Sequence, residues 1–316
     1  MNQSRASSLM HHMLRFIILL GFTGYIVYLV RTGEILLFIA PGLLLYVKMA
    51  AAGLFLFTSF QLYALIHSLR QPTVDVACVC GHDHHHTHEQ DSDHDHSDGS
   101  RRSTWKHVIL YGMFIFPLLL GALLPNQAFA GSLAMNKGMS LGGTSSDSSG
   151  VPTDLAPLLG SEDPAAKALF VTDKYNRDYA KLAMLLYQQD VIEMQDTWFI
   201  EKLQALNSFV NPFQGKRIRI KGFVYREEGL SGDQFIIGRM AMTHCIADIS
   251  PYGMIAEAPN ASSYADDTWV TLTGTIASTT YHNQTVVKIM IDNVEPATAP
   301  TIPYVYPDWD FAQKLQ

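Results

Sequence analysis

Three long apolar runs precede residue 130 and constrain the fold more than any other feature of the chain. They cover residues 14–30, 46–69 and 107–124, and each carries almost no charge. A helix needs roughly 20 apolar residues to cross the hydrocarbon core of a bilayer, which is about 30 Å thick. The sequence therefore predicts a membrane domain over residues 1–130 with about three transmembrane helices. The alternative for the first run is a cleavable signal peptide, although no small-x-small cleavage site follows it.

Basic residues flank the apolar runs unevenly, which predicts an orientation because cytoplasmic loops carry an excess of Lys and Arg. They lie before the first run and on both sides of the segment between the second and third runs: Arg5, Arg15, Arg70, Arg101, Arg102 and Lys106. We expect a cytoplasmic N-terminus, a cytoplasmic loop over residues 77–104 and an extracytoplasmic C-terminal half. This describes a multi-pass protein of the cytoplasmic (inner) membrane.

Two residues interrupt the apolar pattern before the second run. Pro41 is expected to end a short apolar piece, since proline disrupts a helix interior. Lys48 disagrees with the predicted orientation because it would lie near the outer face. We expect its long side chain to extend to the membrane interface.

The loop over residues 77–104 is rich in histidine and aspartate. It holds seven of the thirteen histidines of the chain and two of its three cysteines. With no helix or strand period and little apolar surface, it is predicted to be disordered. Imidazole, carboxylate and thiolate groups bind zinc and similar ions, so a loosely bound divalent metal, zinc first, is predicted. The alternative is a solvated acidic spacer. The candidate ligands are Cys78, Cys80, His82, His84, His85, His86, His88, His94 and His96.

The C-terminal half changes from helical to strand patterning. Residues 131–164 are rich in Gly, Ser and Pro and predict a linker, and residues 165–211 have apolar positions at helical spacing. Residues 212–300 contain five short runs with period-2 alternation, two of them with a glycine in the middle. The predicted fold class is a membrane α-helical half plus an α+β soluble domain with an OB-like small β-barrel, followed by a tail over residues 301–316.

Charge and cysteine content exclude two classes of protein. The net charge is −7 and no basic stripe is present, which argues against a nucleic-acid partner. The three cysteines, at positions 78, 80 and 245, do not form a disulfide framework.

Four stretches carry a resemblance to a known family: LLLGALLPNQAFAGSLAMNKG, NPFQGKRIRIKGFVYRE, FIIGRMAMTHCIADISPYGMIAE and PTIPYVYP. They resemble the YcgQ-like family of bacterial membrane proteins, described as subunits of a two-component permease complex. The resemblance implies a multi-span permease subunit as partner, in addition to the lipid bilayer. It also implies a Cys-Cys-x-Ala-Asp core, in which this chain has His244 before Cys245. That exchange is compatible with metal binding and removes a vicinal disulfide.

His244, Cys245 and Asp248 place three potential ligands at the end of the second predicted strand. With His282, from the loop between the fourth and fifth predicted strands, they form a possible second metal or ligand site. The alternatives are a structural Cys245 beside a turn-forming Asp248, and a catalytic cysteine. Adjacent residues of a strand point to opposite faces, so His244 is poorly placed to activate Cys245. We therefore expect no catalytic residue and no enzyme.

Together these features predict a non-enzymatic accessory subunit of a membrane permease complex. We expect a link to divalent metal transport or homeostasis, with metal gathered or sensed by the histidine-rich loop. The alternative is an envelope-anchored OB-like module that binds a peptide, a glycan or an anionic ligand, with the loop incidental.

Overall fold

The computed structural model describes residues 3–70, 99–123, 138–142, 169–170 and 176–315. Side chains of the first and third helices are described from residues 9 and 109 onward. The chain divides into two compact units. The helical unit comprises Met1–Ile35 with Leu43–Asn126, and the sheet unit comprises Leu36–Gly42 with Gln127–Gln316.

The described part of the helical unit contains three α-helices: α1 (Gln3–Thr32), α2 (Leu44–Arg70) and α3 (Gly99–Leu123). By length and composition alone, two described stretches could cross a membrane, Leu9–Thr32 and Pro41–Arg70. The described apolar part of α3, Ile109–Leu123, is shorter. Two of the three predicted spans therefore have candidate helices, and the third span stays a prediction.

Small and polar residues mediate the contacts between these helices. The hydroxyl oxygens of Thr23 on α1 and Thr58 on α2 are 3.1 Å apart. Tyr25 of α1 donates a hydrogen bond of 2.9 Å to the backbone carbonyl of Gly121 on α3. A Cβ atom on Gly121 would lie 2.7 Å from the Tyr25 hydroxyl, so a larger residue there would displace the Tyr25 ring. Close contacts at small residues and interhelical hydrogen bonds are typical of helix association in membranes.

The described part of the sheet unit contains four α-helices and seven strands. Its helices are α4 (Arg177–Tyr187), α5 (Phe199–Ser208), α6 (Val210–Phe213) and α7 (Phe311–Lys314). Its strands are β1 (Val191–Met194), β2 (Arg217–Tyr225), β3 (Gln234–Ala241), β4 (Ser250–Glu257), β5 (Trp269–Tyr281), β6 (Gln284–Pro296) and β7 (Tyr304–Val305).

The strands form one mixed sheet in the order β1-β2-β5-β6-β4-β3-β7, and β2 also pairs with β3. Strands β2, β5, β6, β4 and β3 therefore hydrogen-bond in a ring. The pairs β1–β2, β4–β6 and β3–β7 are parallel, and the others are antiparallel. The five predicted strands are β2 to β6. A ring of pairings is not in itself a barrel, so the predicted OB-like barrel stays a prediction.

The predicted alternation on β2 is confirmed. Ile218 and Ile220 are fully buried, whereas Arg217 and Arg219 point to solvent. Arg217 lies 3.6 Å from Asp292 and Arg219 lies 3.7 Å from Glu295, both on β6. The basic side chains of this face therefore have acidic neighbours.

Two glycines allow strands to approach closely where the sequence predicts bends. A Cβ atom on Gly222 would lie 2.5 Å from the carbonyl oxygen of Gly238, and one on Gly274 would lie 2.3 Å from that of Met290. The pairing of β5 with β6 shifts register between Thr273 and Gly274. Mid-strand glycine thus marks close backbone approach here.

Residues 138–142 fall within the predicted linker but are part of the sheet unit. Ser140 forms a parallel bridge with Tyr252, and its N–H donates to the carbonyl of Pro251 over 2.9 Å. The neighbouring side chains of Met139 and Leu141 are buried. The two apolar residues in this Gly-rich and Ser-rich segment explain why it packs. The remaining linker positions lie outside the described residues.

Candidate functional site

The turn after β3 is organised around the carboxylate of Asp248. Its oxygens accept backbone N–H groups from Thr243 (3.1 Å), His244 (2.7 Å) and Cys245 (3.3 Å). Partial burial acts to raise the pKa of Asp248, but these hydrogen bonds and one from the His244 side chain outweigh it, so the pKa lies below its ordinary value. The acidic residue of the motif therefore holds a turn.

Cys245 completes a capping box around a short 3₁₀ helix, Ile246–Asp248. The Cys245 side chain accepts the N–H of Asp248, while the Asp248 carboxylate accepts the N–H of Cys245. Such a reciprocal pair satisfies donors that the start of a helix leaves free. The thiol is half-buried and free of any disulfide. This geometry gives the Cys-x-Ala-Asp spacing a structural reason.

The same turn docks the segment that follows α1, residues 36–42. Ile39 and Cys245 form an antiparallel bridge. The N–H of Ala40 donates to the carbonyl of His244 over 2.8 Å, and the N–H of Ile246 donates to the carbonyl of Phe38 over 2.9 Å. The motif thus presents a short backbone edge, and the segment between α1 and α2 occupies it.

Apolar contacts reinforce this docking. Ala40 is 5 % exposed, and Leu37 packs against the same group of buried side chains. That group combines the docked segment with the segment at 138–142, five strands and the turn: Ala40, Met139, Leu141, Phe223, Tyr225, Ile236, Met240, Met242, Ile249, Ile255, Val286 and Tyr304. We call the contact of residues 36–42 with Thr243–Asp248 and this group the docking site.

The predicted second metal site is not assembled by the described residues. The imidazole Nδ1 of His244 lies 3.2 Å from Asp248, and this histidine is largely exposed. His282 occupies the tight β5–β6 turn with positive φ, as does Asn283, and its ring stacks on Tyr281. No group of three or more His, Cys, Asp or Glu in the described part of the chain is placed to hold a metal ion. A metal at His244 and Cys245 stays a prediction.

The structure does not test the predicted metal ligands of the histidine-rich loop. All nine of its predicted ligands lie outside the described residues: Cys78, Cys80, His82, His84, His85, His86, His88, His94 and His96. Their prediction as metal ligands therefore stands on composition alone.

Arg239 is a buried cation that the sequence analysis did not single out. It lies on β3 and is 1 % exposed. Its Nη1 donates to Asp196 over 2.5 Å, whereas its Nε and Nη2 are buried without a hydrogen bond to any described residue. The guanidinium lies 5.4 Å and 5.9 Å from the ring centroids of Trp269 and Phe199, within the range of cation–π attraction. A single arginine in the apolar run FIIGRMAM was the available signal.

Glu201 is a second buried ionisable group, on α5. Its Oε1 accepts the N–H of Asp308 over 2.7 Å, while its Oε2 is buried and makes no hydrogen bond to a described residue. Burial raises the pKa of Glu201, although the hydrogen bond from Asp308 opposes that shift. Asp308 also accepts the indole N–H of Trp198 over 2.9 Å. This cluster fastens the C-terminal tail to α5.

The docked segment itself is not predicted by the sequence patterns described above. The one local signal was Ala40 before Pro41, since a residue that precedes proline favours extended backbone. An extended residue with a free N–H is suited to pair with a strand edge. The pairing partner could not be read from this signal, because it is more than half the chain away.

Comparison with known proteins places the chain in a family. The model of the DUF1980 N-terminal domain matches residues 14–140, and that of the DUF1980 C-terminal domain matches residues 169–307. The first match thus runs through α1, the docked segment and Ser140.

Two relatives illustrate the similarity. "UPF0703 protein YcgQ" of Bacillus subtilis (strain 168) is 28 % identical over 296 residues, which are 93 % of this chain and 99 % of the relative. A protein of Streptococcus mutans serotype c (strain ATCC 700610 / UA159) is 24 % identical over 196 residues, which are 60 % of this chain and 70 % of the relative. Its name is "Putative two-component membrane permease complex subunit". Because both domains of one family match in order over most of the chain, this chain belongs to the DUF1980 family, which confirms the YcgQ-like resemblance of its sequence.

Proposed function

We propose that this chain is a non-enzymatic accessory subunit of a membrane permease complex. The name of the Streptococcus mutans relative supports this role, and the two long apolar helices supply a means of attachment to the bilayer. The partner would be a multi-span permease subunit. The docking site is the single structural observation that carries the proposal, because it ties the sheet unit to the segment between α1 and α2.

The docking site also bears on topology. The docked segment, residues 36–42, and the sheet unit lie on one side of the membrane, since they share a core. If α2 crosses the bilayer, the chain must cross once more before residue 138 to return to that side. A third span at α3, with the segment between α2 and α3 on the opposite side, would meet this requirement. Together with the basic residues that flank this segment, this favours an extracytoplasmic sheet unit.

The architecture of the sheet supports a non-enzymatic binding domain. In our proposal the ring of β2, β3, β4, β6 and β5 is OB-like, with β4 parallel to β6 and with β2 pairing to both β3 and β5. A catalytic cysteine would need a base beside its thiol, and the described side-chain contact of His244 is with Asp248 instead. The Cys245 side chain accepts a backbone N–H, and Asp248 holds three more.

We further propose that the histidine-rich loop gathers or senses a divalent cation, zinc first, for the complex. Its support is chemical, since a high local density of imidazole and carboxylate with two thiols provides exchangeable sites. Deletion of residues 78–100 tests this part. Loss of metal tolerance at a normal protein level is expected, together with loss of bound zinc. An unchanged metal response would favour the alternative of an envelope-anchored binding module.

Purification in mild detergent tests the subunit role. The tagged full chain should retain a multi-span membrane protein, identified by mass spectrometry, in a fixed ratio. The variant Ala40→Pro removes the N–H that bonds His244 and should reduce this retention. The control Asp292→Ala changes an exposed ion pair and should retain the partner. Recovery of the chain without a membrane partner in every sample would refute the subunit role.

Labelling of intact cells tests the topology separately. An impermeant maleimide should react with Cys introduced at Asp266, which is exposed in the sheet unit, in a Cys78→Ser, Cys80→Ser background. Native Cys78 and Cys80 should react only after permeabilisation. Labelling of Cys78 or Cys80 in intact cells, in a Cys245→Ser background, would overturn the proposed orientation.

A further inference from the structure

A groove of about 480 Å³ lies between α1 and α2 at the end where α1 stops and α2 starts. Its walls are apolar and include Val27, Phe55 and Leu56, which are exposed. Two cations, Arg31 and Lys48, line the same groove. Arg31 lies in the last turn of α1 and Lys48 in the second turn of α2. The groove therefore combines an apolar wall with two positive charges.

Neither cation forms an ion pair with a residue in the part of the chain that the structure describes. The ion pairs among described residues all lie in the sheet unit, and none involves Arg31 or Lys48. A basic side chain beside a hydrocarbon layer is costly unless it reaches the interface or meets an anion. Arg31 lies at the end of one candidate membrane stretch, Leu9–Thr32, and Lys48 lies near the start of the other, Pro41–Arg70. If these stretches cross a bilayer, we expect both side chains to reach the depth of the lipid headgroups.

We propose that this groove binds one anionic phospholipid. The phosphate would lie between the Arg31 guanidinium and the Lys48 ammonium, and an acyl chain would follow the wall formed by Val27, Phe55 and Leu56. Arginine and lysine both bind phosphate oxygens, and the two positive charges favour a lipid with net negative charge over a zwitterionic one. The site also gives Lys48, which disagreed with the charge bias of the sequence, a specific role.

Native mass spectrometry of the purified full chain tests the proposal. The protein is incubated in mixed micelles with equal amounts of phosphatidylglycerol and phosphatidylcholine. Wild type should retain phosphatidylglycerol preferentially, and the double variant Arg31→Gln, Lys48→Gln should lower its retention about tenfold. The matched control Arg15→Gln, Arg70→Gln removes two exposed charges outside the groove and should retain the lipid as wild type does.

A second variant separates binding from misfolding. Ala52→Phe fills the groove from an exposed position and leaves both cations in place. It should also lower retention of phosphatidylglycerol. Millimolar inorganic phosphate should not displace the lipid, because the apolar wall contributes to its binding. Equal retention of phosphatidylglycerol by wild type and the double variant, equal retention of the two lipids by wild type, or displacement by free phosphate would each overturn the proposal.

Discussion

Ile39 and Cys245 face each other as a non-hydrogen-bonded antiparallel pair, with one backbone hydrogen bond on either side. Such pairs bring their Cα atoms to about 4.5 Å. This relationship joins a segment near the start of the chain to the turn that follows β3. The turn that contains Cys245 thus serves as the pairing partner of the short segment between two apolar helices.

The pairing predicts a disulfide. Ile39→Cys in a Cys78→Ser, Cys80→Ser background should cross-link to native Cys245 under mild oxidation, because the expected Cα separation falls within the range that disulfides span. Mass spectrometry of unreduced peptides would detect the bond. Phe38→Cys is the matched control, since neighbouring residues of an extended segment point to opposite sides. An equal yield from both positions would contradict the register.

Loss of the Asp248 carboxylate should destabilise the sheet unit. Asp248→Ala leaves three backbone N–H groups without their acceptor, and we expect a loss of about 2 kcal/mol in the free energy of unfolding. Chemical denaturation of the full chain in detergent, followed by tryptophan fluorescence, measures it. The control Asp292→Ala should change stability by less than about 0.5 kcal/mol, because its ion pair with Arg217 is exposed.

The same variant should change the acid response. The pKa of Asp248 is lowered in the folded state, so its ionised form stabilises the fold. That contribution is complete above the unfolded pKa of about 3.9 and is lost as pH falls through the folded value. The stability difference between wild type and Asp248→Ala should therefore shrink below about pH 4. A constant difference down to acidic pH would show that the carboxylate acts through packing.

The capping role of Cys245 predicts a graded response to substitution. Cys245→Ser keeps an acceptor for the Asp248 N–H and should leave stability nearly unchanged. Cys245→Val removes the acceptor at similar volume and should cost about 1 kcal/mol. Thermal unfolding distinguishes them. If the serine variant instead lost bound metal at unchanged stability, the metal-site hypothesis for His244 and Cys245 would regain support.

Removing Asp196 should reduce the free energy of unfolding more than removing Arg239 does. Asp196→Ala leaves a buried guanidinium without its acidic partner and should cost about 2 kcal/mol, less than the loss of a fully buried pair because Asp196 itself is largely exposed. Arg239→Met removes the cation and fills its space, so a smaller loss is expected. The double variant should recover most of the stability lost in Asp196→Ala, and a double-mutant cycle measures that coupling. Additive losses would show that the pair does not interact.

Ionisation of Glu201 should lower the stability of the fold as pH rises, whereas ionisation of Asp248 raises it. Burial raises the pKa of Glu201 in the folded state, so the unfolded chain ionises first as pH rises above about 4.3. Stability is therefore lost over the interval from that pH to the folded pKa. Glu201→Gln should stabilise the protein at pH 7 and lose this advantage near pH 4. Glu228→Gln, at an exposed position, is the control and should show neither effect.

Local patterns predicted the elements that have a clear period. The alternation of Ile218 and Ile220 with Arg217 and Arg219 identified β2, and similar patterns gave β3 to β6. The short strands β1 and β7 escaped detection, because two to four residues carry too little periodicity. Composition likewise identified the apolar helices, with Pro41 preceding the second of them.

The sequence by itself determined which segments are apolar, which alternate, and which family the motifs around Cys245 resemble. Only the tertiary structure decided that β4 runs parallel to β6, that Asp196 meets Arg239, and that Ile39 pairs with Cys245. The physical reason is that burial periodicity is a local property of the chain. Pairing between distant residues depends instead on backbone donors and acceptors, which every residue except proline carries alike, and on how the remaining core brings them together.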